Sequence, residues 1–239
     1  MRLFEHDLGD PYTVAFSTRQ GGVSKGDFES LNLGILTDDD PLSVVENRRR
    51  LSAAVGVDPE TATMAWQVHG AHLFEADGRG IVTPGKDFEQ GDGIWTEEPG
   101  RALALITADC YPVALARTNG RPRLAVLHVG WRGLLAGIVE NGVQAVEGPC
   151  VAAVGPGIGP CCYEVGDEVR EPFRARFGDE VVRGRSLDLA EAISRALETA
   201  GVERVERTGH CTSCEPDLFF SHRRDEGRTG RQGVIAAIR

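Results

Sequence analysis

The sequence lacks both a long apolar run and an excess of basic charge. No apolar segment of the 239-residue chain approaches the roughly 20 residues that cross a bilayer, and residues 1–12 lack the basic-then-apolar pattern of a signal peptide. With 36 acidic against 26 basic residues, the net charge of −10 disfavours non-specific binding to nucleic acid, since phosphate contacts need a basic surface. We expect a cytoplasmic monomer or weak homodimer that binds neither membranes nor nucleic acid.

Cysteine and histidine are scarce, with six of each. A cytoplasmic chain of this length has enough core to fold without disulfides, so we expect reduced thiols. The C-x-x-C pair Cys211 and Cys214 is half of a zinc ribbon, but no second such pair exists in the chain. A four-cysteine site would need the adjacent Cys161 and Cys162 in an unusual arrangement. The sequence leaves open whether these pairs bind a metal or form disulfides.

The composition is that of an ordinary globular protein, with 41% hydrophobic and 26% charged residues. There is no internal repeat, and glycine and proline are scattered along the chain. Strand-like runs alternate with helical patterns, which predicts an α/β or α+β fold with a mixed sheet. We interpret residues 1–239 as one domain.

Three apolar runs end at side chains that could bind a metal: His69 after residues 63–68, Cys110 within residues 102–115, and His128 within residues 124–129. Strands of one sheet could bring the three together. Three nitrogen and sulfur ligands leave zinc a fourth position for water, which is the arrangement of catalytic zinc. We therefore expect these residues to form one zinc site, with His72 as the alternative to His69.

The same side chains support a second interpretation. Cys110 could act as a nucleophile with His69 or His128 as its base, as in hydrolases with a cysteine–histidine dyad. The two interpretations differ in metal content, because a dyad remains active in the presence of a chelator.

Several segments around these residues suggest a pocket. Arg19 follows a predicted strand at residues 12–18 and could offer its guanidinium to an oxyanion. Strand alternation places Gln67 on the same face as His69, and Asp92 lies between two glycines that precede an apolar segment. A cluster of arginines at residues 223–231 is either a solvated patch or an oxyanion clamp.

Two helices are predicted near these candidates. The first covers residues 41–55, with Asp40 as its N-cap and Pro41 at its first position. The second follows His128, begins at residue 131 and ends before Gly148-Pro149, so that its positive N-terminus would face the proposed metal.

Seven segments, in this order, resemble the YfiH-like family: STRQGGVS, WQVHG, GDGIWT, TADCYPV, LAVLHVGWRG, GPGIGPCCYEVG and FFSHRRDEGRTGR. This family was long labelled multicopper polyphenol oxidoreductase or laccase and was later recognised as purine nucleoside phosphorylases. The resemblance spans nearly the whole chain, and an ordered set of motifs is far more specific than any one of them.

The resemblance implies a single-domain α/β/β/α sandwich in which His69, Cys110 and His128 bind zinc. It also implies phosphorolysis of adenosine, inosine, guanosine and methylthioadenosine, together with deamination of adenosine. The alternatives are a copper-dependent (Cu²⁺) polyphenol oxidase and a cysteine or zinc amidohydrolase that edits peptidoglycan precursors. Six histidines in the whole chain are few for a multicopper cluster.

Phosphorolysis requires a bound phosphate next to the anomeric carbon of the nucleoside. Arginine suits this role because its planar fork pairs two oxygens at once. Under the resemblance, the candidates for phosphate are Arg19, Arg48 and Arg231, while Gln67, Asp92 and Asp109 are the candidates for base or sugar. One departure from the family pattern is His222, where the family leads us to expect a tyrosine.

Overall fold

Two β-sheets pack face to face in the computed structural model of this chain, which describes residues 1–83 and 88–239. The sequence indicates a polar loop at residues 78–90, and its residues 84–87 lie outside the described part. The strands are β1 (Leu3–His6), β2 (Tyr12–Ser17), β3 (Thr63–Met64), β4 (Leu73–Glu75), β5 (Gly93–Thr96), β6 (Ala102–Thr107), β7 (Tyr111–Arg117), β8 (Leu124–Val129), β9 (Cys150–Val154), β10 (Val182–Arg183), β11 (Ser186–Leu187), β12 (Arg204–Arg207) and β13 (Gln232–Ile238). The helices are α1 (Pro41–Val55), α2 (Trp131–Leu135), α3 (Ile138–Val146), α4 (Asp167–Phe177) and α5 (Leu189–Thr199), with short 3₁₀ turns at Gly26–Phe28 and Asp179–Val181.

Both large sheets are mixed, as the sequence predicts. The first has the order β1-β2-β13-β6-β3 and the second has the order β12-β9-β7-β8-β5-β4, while β10 and β11 form a separate pair. Strand pairs β3–β6, β4–β5 and β9–β12 are parallel, and the other pairs are antiparallel. At the centre of the first sheet, β13 from the end of the described chain lies between β2 and β6, whereas the central strands of the second sheet, β7 and β8, are consecutive in the chain.

The central strands are apolar on both faces because both faces are covered. In β13, Val234 and Ala236 belong to the core between the sheets, whereas Ile235 and Ala237 pack under the helix on the outer side. Strand β8 shows the same alternation, with Leu124 directed to the other sheet and other positions packed against helices. Three apolar layers result, one between the sheets and one on each outer face.

Helices occupy the outer layers, as the family resemblance implies. The first sheet is covered by α1, whose Val45 and Leu51 are buried there, and the second is covered by α3, α4 and α5. The predicted start of α1 is confirmed, because the Asp40 carboxylate accepts hydrogen bonds from the backbone N–H groups of Leu42 and Ser43. It ends at Gly56, whose φ of 78° suits glycine. Among the described residues, no helix has the length and apolar composition that a membrane crossing requires.

Three segments differ from the sequence expectations. The apolar run at residues 102–115 is not one strand, because the chain leaves β6 in the first sheet and enters β7 in the second. Asp109, with φ 87°, forms the bend between them. Within residues 63–68, only Thr63–Met64 is a strand. The helix after His128 is broken at Gly137, with φ 92°, so α2 has only five residues.

The core between the sheets should contribute strongly to stability. Phe16 is fully buried there, and Phe16→Ala should lower the free energy of unfolding by about 3–5 kcal/mol, because it leaves a cavity. Urea denaturation measures the change. Leu42→Ala is the matched control, since Leu42 is 71% exposed on α1, and it should shift stability by no more than about 0.5 kcal/mol. Equal stability of the two variants would contradict this assignment of the core.

Candidate metal and active site

His69, Cys110 and His128 come together in space. Their ligand atoms all lie within 4.8 Å of one another, and the two imidazole rings are 4.8 Å apart between centroids at an angle of 70°. Ligands of a single tetrahedral zinc ion, bound at about 2.0–2.3 Å, lie about 3.3–3.8 Å apart. The donor set and its spacing therefore fit one metal ion with a coordination position to spare.

Each ligand comes from a different structural element. His128 lies in β8 opposite Pro112 of β7, on the strand face that is directed to the first sheet. Cys110 immediately precedes β7, and His69 lies in the turn that follows β3. Gly130 passes close behind them, and a Cβ atom there would lie only 3.0 Å from the Cys110 sulfur and 3.4 Å from the His69 ring. A side chain at residue 130 would crowd the ligands.

The buried carboxylate of Asp92 holds two of the three ligands. It accepts hydrogen bonds from the backbone N–H groups of Val68, His69 and Gly70, at 3.2, 2.9 and 2.6 Å, and lies 2.7 Å from Nδ1 of His128. His69 is thereby kept in a left-handed conformation, with φ 61°. Because Nδ1 of His128 donates to Asp92, its Nε2 remains for a metal. A carboxylate behind a ligating histidine is common in metal sites, where it fixes the tautomer and ring orientation.

Charge interactions at the site favour the thiolate. Burial would raise the pKa of the Cys110 thiol, but the charge of His128 and hydrogen bonds from both histidines lower it to about 6. Burial would likewise lower the pKa of His128, but the Cys110 charge and the Asp92 hydrogen bond raise it to about 9. The thiolate is the form that binds a metal or attacks an electrophile.

A cavity of about 590 Å³ opens in front of the three residues. Its other lining side chains include four arginines and four aromatic residues: Arg48, Arg132, Arg223, Arg231, Trp66, Phe88, Trp131 and Tyr163. This volume is within the range of pockets that bind small organic ligands. In a chain with a net charge of −10, the arginines make the cavity locally basic.

Arg48 and Arg231, both predicted as phosphate ligands, line this cavity. Arg48 is buried, and its Nε and Nη1 donate to the carbonyls of Leu33 and Ile81, at 2.9 and 2.8 Å. Its Nη2 has no hydrogen-bond partner among the described residues. Burial lowers the pKa of Arg48 to about 10, and it remains charged at neutral pH. Nη1 of Arg231 donates to the carbonyls of Thr229 and Gly230, and burial lowers the pKa of Arg231 as well.

Arg19 lies outside this cavity. Its guanidinium donates to the carbonyls of Glu29 and Pro216 and stacks over the ring of Phe220 at 4.4 Å. The structure therefore places Arg19 away from the pocket in which the sequence predicts it, because these contacts hold it against residues 216–220. In the arginine cluster at residues 223–231, Arg228 forms an ion pair with Asp27 at the surface and so contributes to the fold and not to the cavity.

The candidates for base or sugar are mostly engaged with the protein. Asp92 is fully buried, so it positions the histidines rather than contacting a ligand. Gln67 lines the cavity, but its amide forms two hydrogen bonds with the backbone of Ile106, at 2.7 and 3.0 Å. Asp109 also lines it, and both its oxygens accept hydrogen bonds, from Thr212 Oγ1 and the Arg223 backbone at 2.7 Å each.

Some cavity residues were not singled out from the sequence. Trp131 and Arg132 follow His128 in the segment HVGWRG, and their closeness to a proposed ligand was the available signal. Tyr163 comes from the loop after β9, and no sequence pattern linked it to the histidines. His222, where the family resemblance predicts a tyrosine, also lines the cavity.

Comparisons with known proteins agree with this architecture. Residues 13–239 match the family model described as multi-copper polyphenol oxidoreductase laccase. Purine nucleoside phosphorylase YlmD of Geobacillus stearothermophilus is 39% identical, over 91% of this chain and 87% of the relative. A purine nucleoside phosphorylase of Deinococcus radiodurans is 41% identical, over 94% and 88%. The crystal structure of a hypothetical protein YfiH of Bacillus licheniformis is 32% identical and matches with a TM-score of 0.89, over 95% and 93% of the two chains.

Asp92 offers a direct test of how the site is held. Asp92→Asn replaces one acceptor oxygen by an N–H donor that would face another donor, so metal affinity should fall by about 10–100-fold. Competition with a chromophoric chelator measures the affinity. Asp38→Asn removes an exposed carboxylate in the turn before α1 and should leave it unchanged. Equal affinities of the two variants would show that the carboxylate does not position the ligands.

Proposed function

The chain belongs to the YfiH-like family, whose family model carries the laccase description, and from this membership and the cavity we propose that it is a zinc-dependent purine nucleoside phosphorylase. Its substrates would be adenosine, inosine, guanosine and methylthioadenosine, each split by phosphate into a purine and a pentose 1-phosphate. The main support for this proposal is that three potential metal ligands, His69, Cys110 and His128, line one cavity of about 590 Å³ together with arginines and aromatic rings. An accompanying adenosine deaminase activity is proposed from the family resemblance.

The aromatic side chains support binding of a planar base. Trp66 is 39% exposed at the cavity, and Trp131 and Tyr163 also line it. Offset stacking of a purine on such rings buries apolar area and is tolerant of the base's substituents. A tolerant surface suits a set of purine nucleosides that differ at the base and at the 5′ position.

The arginines support binding of phosphate. Nη2 of Arg48 is a buried donor that has no hydrogen-bond partner in the described part of the chain, and a phosphate oxygen would satisfy it. Arg132 is exposed, stacks over Trp131 at 4.6 Å, and has no hydrogen bond from its guanidinium to the described residues. A guanidinium fork can pair two phosphate oxygens at once, which orients the nucleophile as well as binding it.

The described side chains divide the work of phosphorolysis. Arginines would hold the anionic phosphate against the anomeric carbon, which becomes positive as the glycosidic bond breaks, and the aromatic rings would orient the purine. Asp92 keeps the His128 ring and the His69 turn in place. A zinc ion bound by His69, Cys110 and His128 would supply Lewis-acid chemistry at an open coordination position.

A copper-dependent phenol oxidase is the second candidate, because two histidines and one cysteine are also the donor set of mononuclear copper sites. A multicopper cluster fits poorly. Within residues 1–83 and 88–239, the other group of three or more potential ligands contains cysteines alone. Visible absorbance of the copper-loaded protein, with oxygen uptake in the presence of a phenol, would favour this candidate.

Zinc-loaded protein should release hypoxanthine and ribose 1-phosphate from inosine only when phosphate is present. Cys110→Ala should lower this rate by on the order of 100-fold or more, because it removes a metal ligand. Cys150→Ala, which changes a buried thiol outside the cavity, is the control and should keep its activity. Failure of the zinc-loaded wild type to split or deaminate any purine nucleoside would refute the proposal, and hydrolysis that persists in chelator would point to the cysteine–histidine dyad.

Arg132 tests the phosphate site without disturbing the core. Arg132→Ala should raise KM for phosphate by about 10–100-fold, since a hydrogen bond to a charged group contributes about 1.5–3 kcal/mol. KM for the nucleoside should change much less. Arg228→Ala removes another exposed arginine, which pairs with Asp27, and serves as the control. An unchanged KM for phosphate in Arg132→Ala would remove Arg132 from the phosphate site.

A further inference from the structure

Four of the six cysteines form a second group, apart from the three residues of the first site. The sulfur atoms of Cys161, Cys162, Cys211 and Cys214 all lie within 4.8 Å of one another. The remaining thiols are Cys110 of the first site and the buried Cys150. The fold thus supplies the unusual arrangement that the sequence required, because it places the adjacent pair opposite the C-x-x-C pair.

The spacing suits a single ion. Four sulfurs bound tetrahedrally at about 2.3 Å from zinc lie about 3.8 Å apart. The sulfur of Cys214 is 3.3 Å from that of Cys161 and 3.4 Å from that of Cys162, and 4.8 Å bounds every pair. A cluster of several irons fills the space between its cysteines and needs them farther apart. We propose that these four cysteines bind one zinc ion in a second, structural metal site.

The surrounding backbone is arranged for the sulfurs. The N–H of Gly159 donates to the sulfur of Cys211 at 3.2 Å, as backbone donors do for metal-bound thiolates. A Cβ atom at Gly159 would lie 3.3 Å from the Cys161 sulfur and 3.5 Å from the Cys211 sulfur. The backbone also joins the two loops directly, since the N–H of Thr212 donates to the carbonyl of Gly157 at 3.0 Å. The cysteines therefore meet through contacts that need no metal.

Chemistry also favours a ligand for this group. Cys161 and Cys214 are exposed, and exposed free thiols are open to oxidation and to adventitious binding. Soft thiolates in a tetrahedral set of four select zinc among the common divalent ions, with iron as the main competitor. Because the protein supplies all four ligands, no position stays open for a substrate, and the site is structural rather than catalytic.

The proposed ion would join two loops behind the cavity wall. The loop after β9 contributes Ile158 and Tyr163 to the cavity, and the loop after β12 contributes His222 and Arg223. Thr212, which lies between Cys211 and Cys214, also binds the carboxylate of Asp109 next to Cys110. A zinc ion bound here would crosslink these two loops and fix their positions relative to the first metal site.

Metal counting on protein purified under reducing conditions and loaded with zinc tests the proposal. Wild type should hold one more zinc equivalent than the double variant Cys211→Ser/Cys214→Ser, whether or not the first site is occupied. Cys110→Ala should retain the zinc of the four-cysteine group, and Cys150→Ala, the matched control, should keep the wild-type content. Because these zinc contents are measured without an activity assay, they test the four-cysteine site even if the protein shows no phosphorylase activity.

Titration with cadmium gives a second measurement. In Cys110→Ala, the sulfur-to-cadmium absorbance should rise to the intensity of four thiolates and reach a plateau at one equivalent of cadmium. Adding Cys161→Ser to Cys110→Ala should lower this plateau absorbance. The double variant should also lose thermal stability that added zinc gives to wild type. The proposal is overturned if wild type and the double variant bind equal zinc, if iron rather than zinc is retained, or if the reduced protein shows four freely reactive thiols with zinc present.

Discussion

The buried carboxylate of Asp92 is the contact on which the candidate site depends. A carboxylate with no exposure to water is costly unless its oxygens are satisfied, and here three consecutive backbone N–H groups and an imidazole satisfy them. Burial would raise the pKa of this carboxyl, but the hydrogen bonds from His128 and Gly70 keep it below its ordinary value. The same bonds hold His69 in a left-handed turn and point His128 at Cys110, so two ligands from distant segments share one anchor.

A second constraint is the passage of the chain from one sheet to the other at residues 108–110. Asp109 bends there with φ 87°, and its carboxylate binds Thr212 and the backbone of Arg223. Cys110 follows immediately, so the ligand stands at the edge of the layer between the sheets, where the cavity opens. The loops that surround the cavity are attached at this bend and at the four-cysteine group, which explains how distant segments of the chain form one wall.

Local patterns predicted local features well. Asp40, Pro41 and Gly56 mark the ends of α1 because capping depends on residues next to one another in the chain. The sequence also placed His69, Cys110 and His128 next to apolar runs and predicted that they meet. The structure brings their ligand atoms together. The hydrogen-bond partners of side chains were harder to predict, because the alternation of residues along a strand indicates which face a side chain is on but not which group lies opposite it. Gln67 lines the cavity, yet its amide is hydrogen-bonded to the backbone of Ile106, and Arg19 stacks on Phe220 outside the cavity.

By itself, the sequence determined the class of fold, the helix that covers the first sheet, the three metal-capable side chains and the family, because each depends on residue types in short windows or in a fixed order. Only the tertiary structure decided that Asp92 anchors the histidines, that Arg48 has a buried donor with no partner among residues 1–83 and 88–239, and that four cysteines from two segments converge. Asp92 lies 23 and 36 positions from the two histidines, and Cys161 lies 53 positions from Cys214. Their partners follow from sheet order and loop paths, which no local pattern encodes.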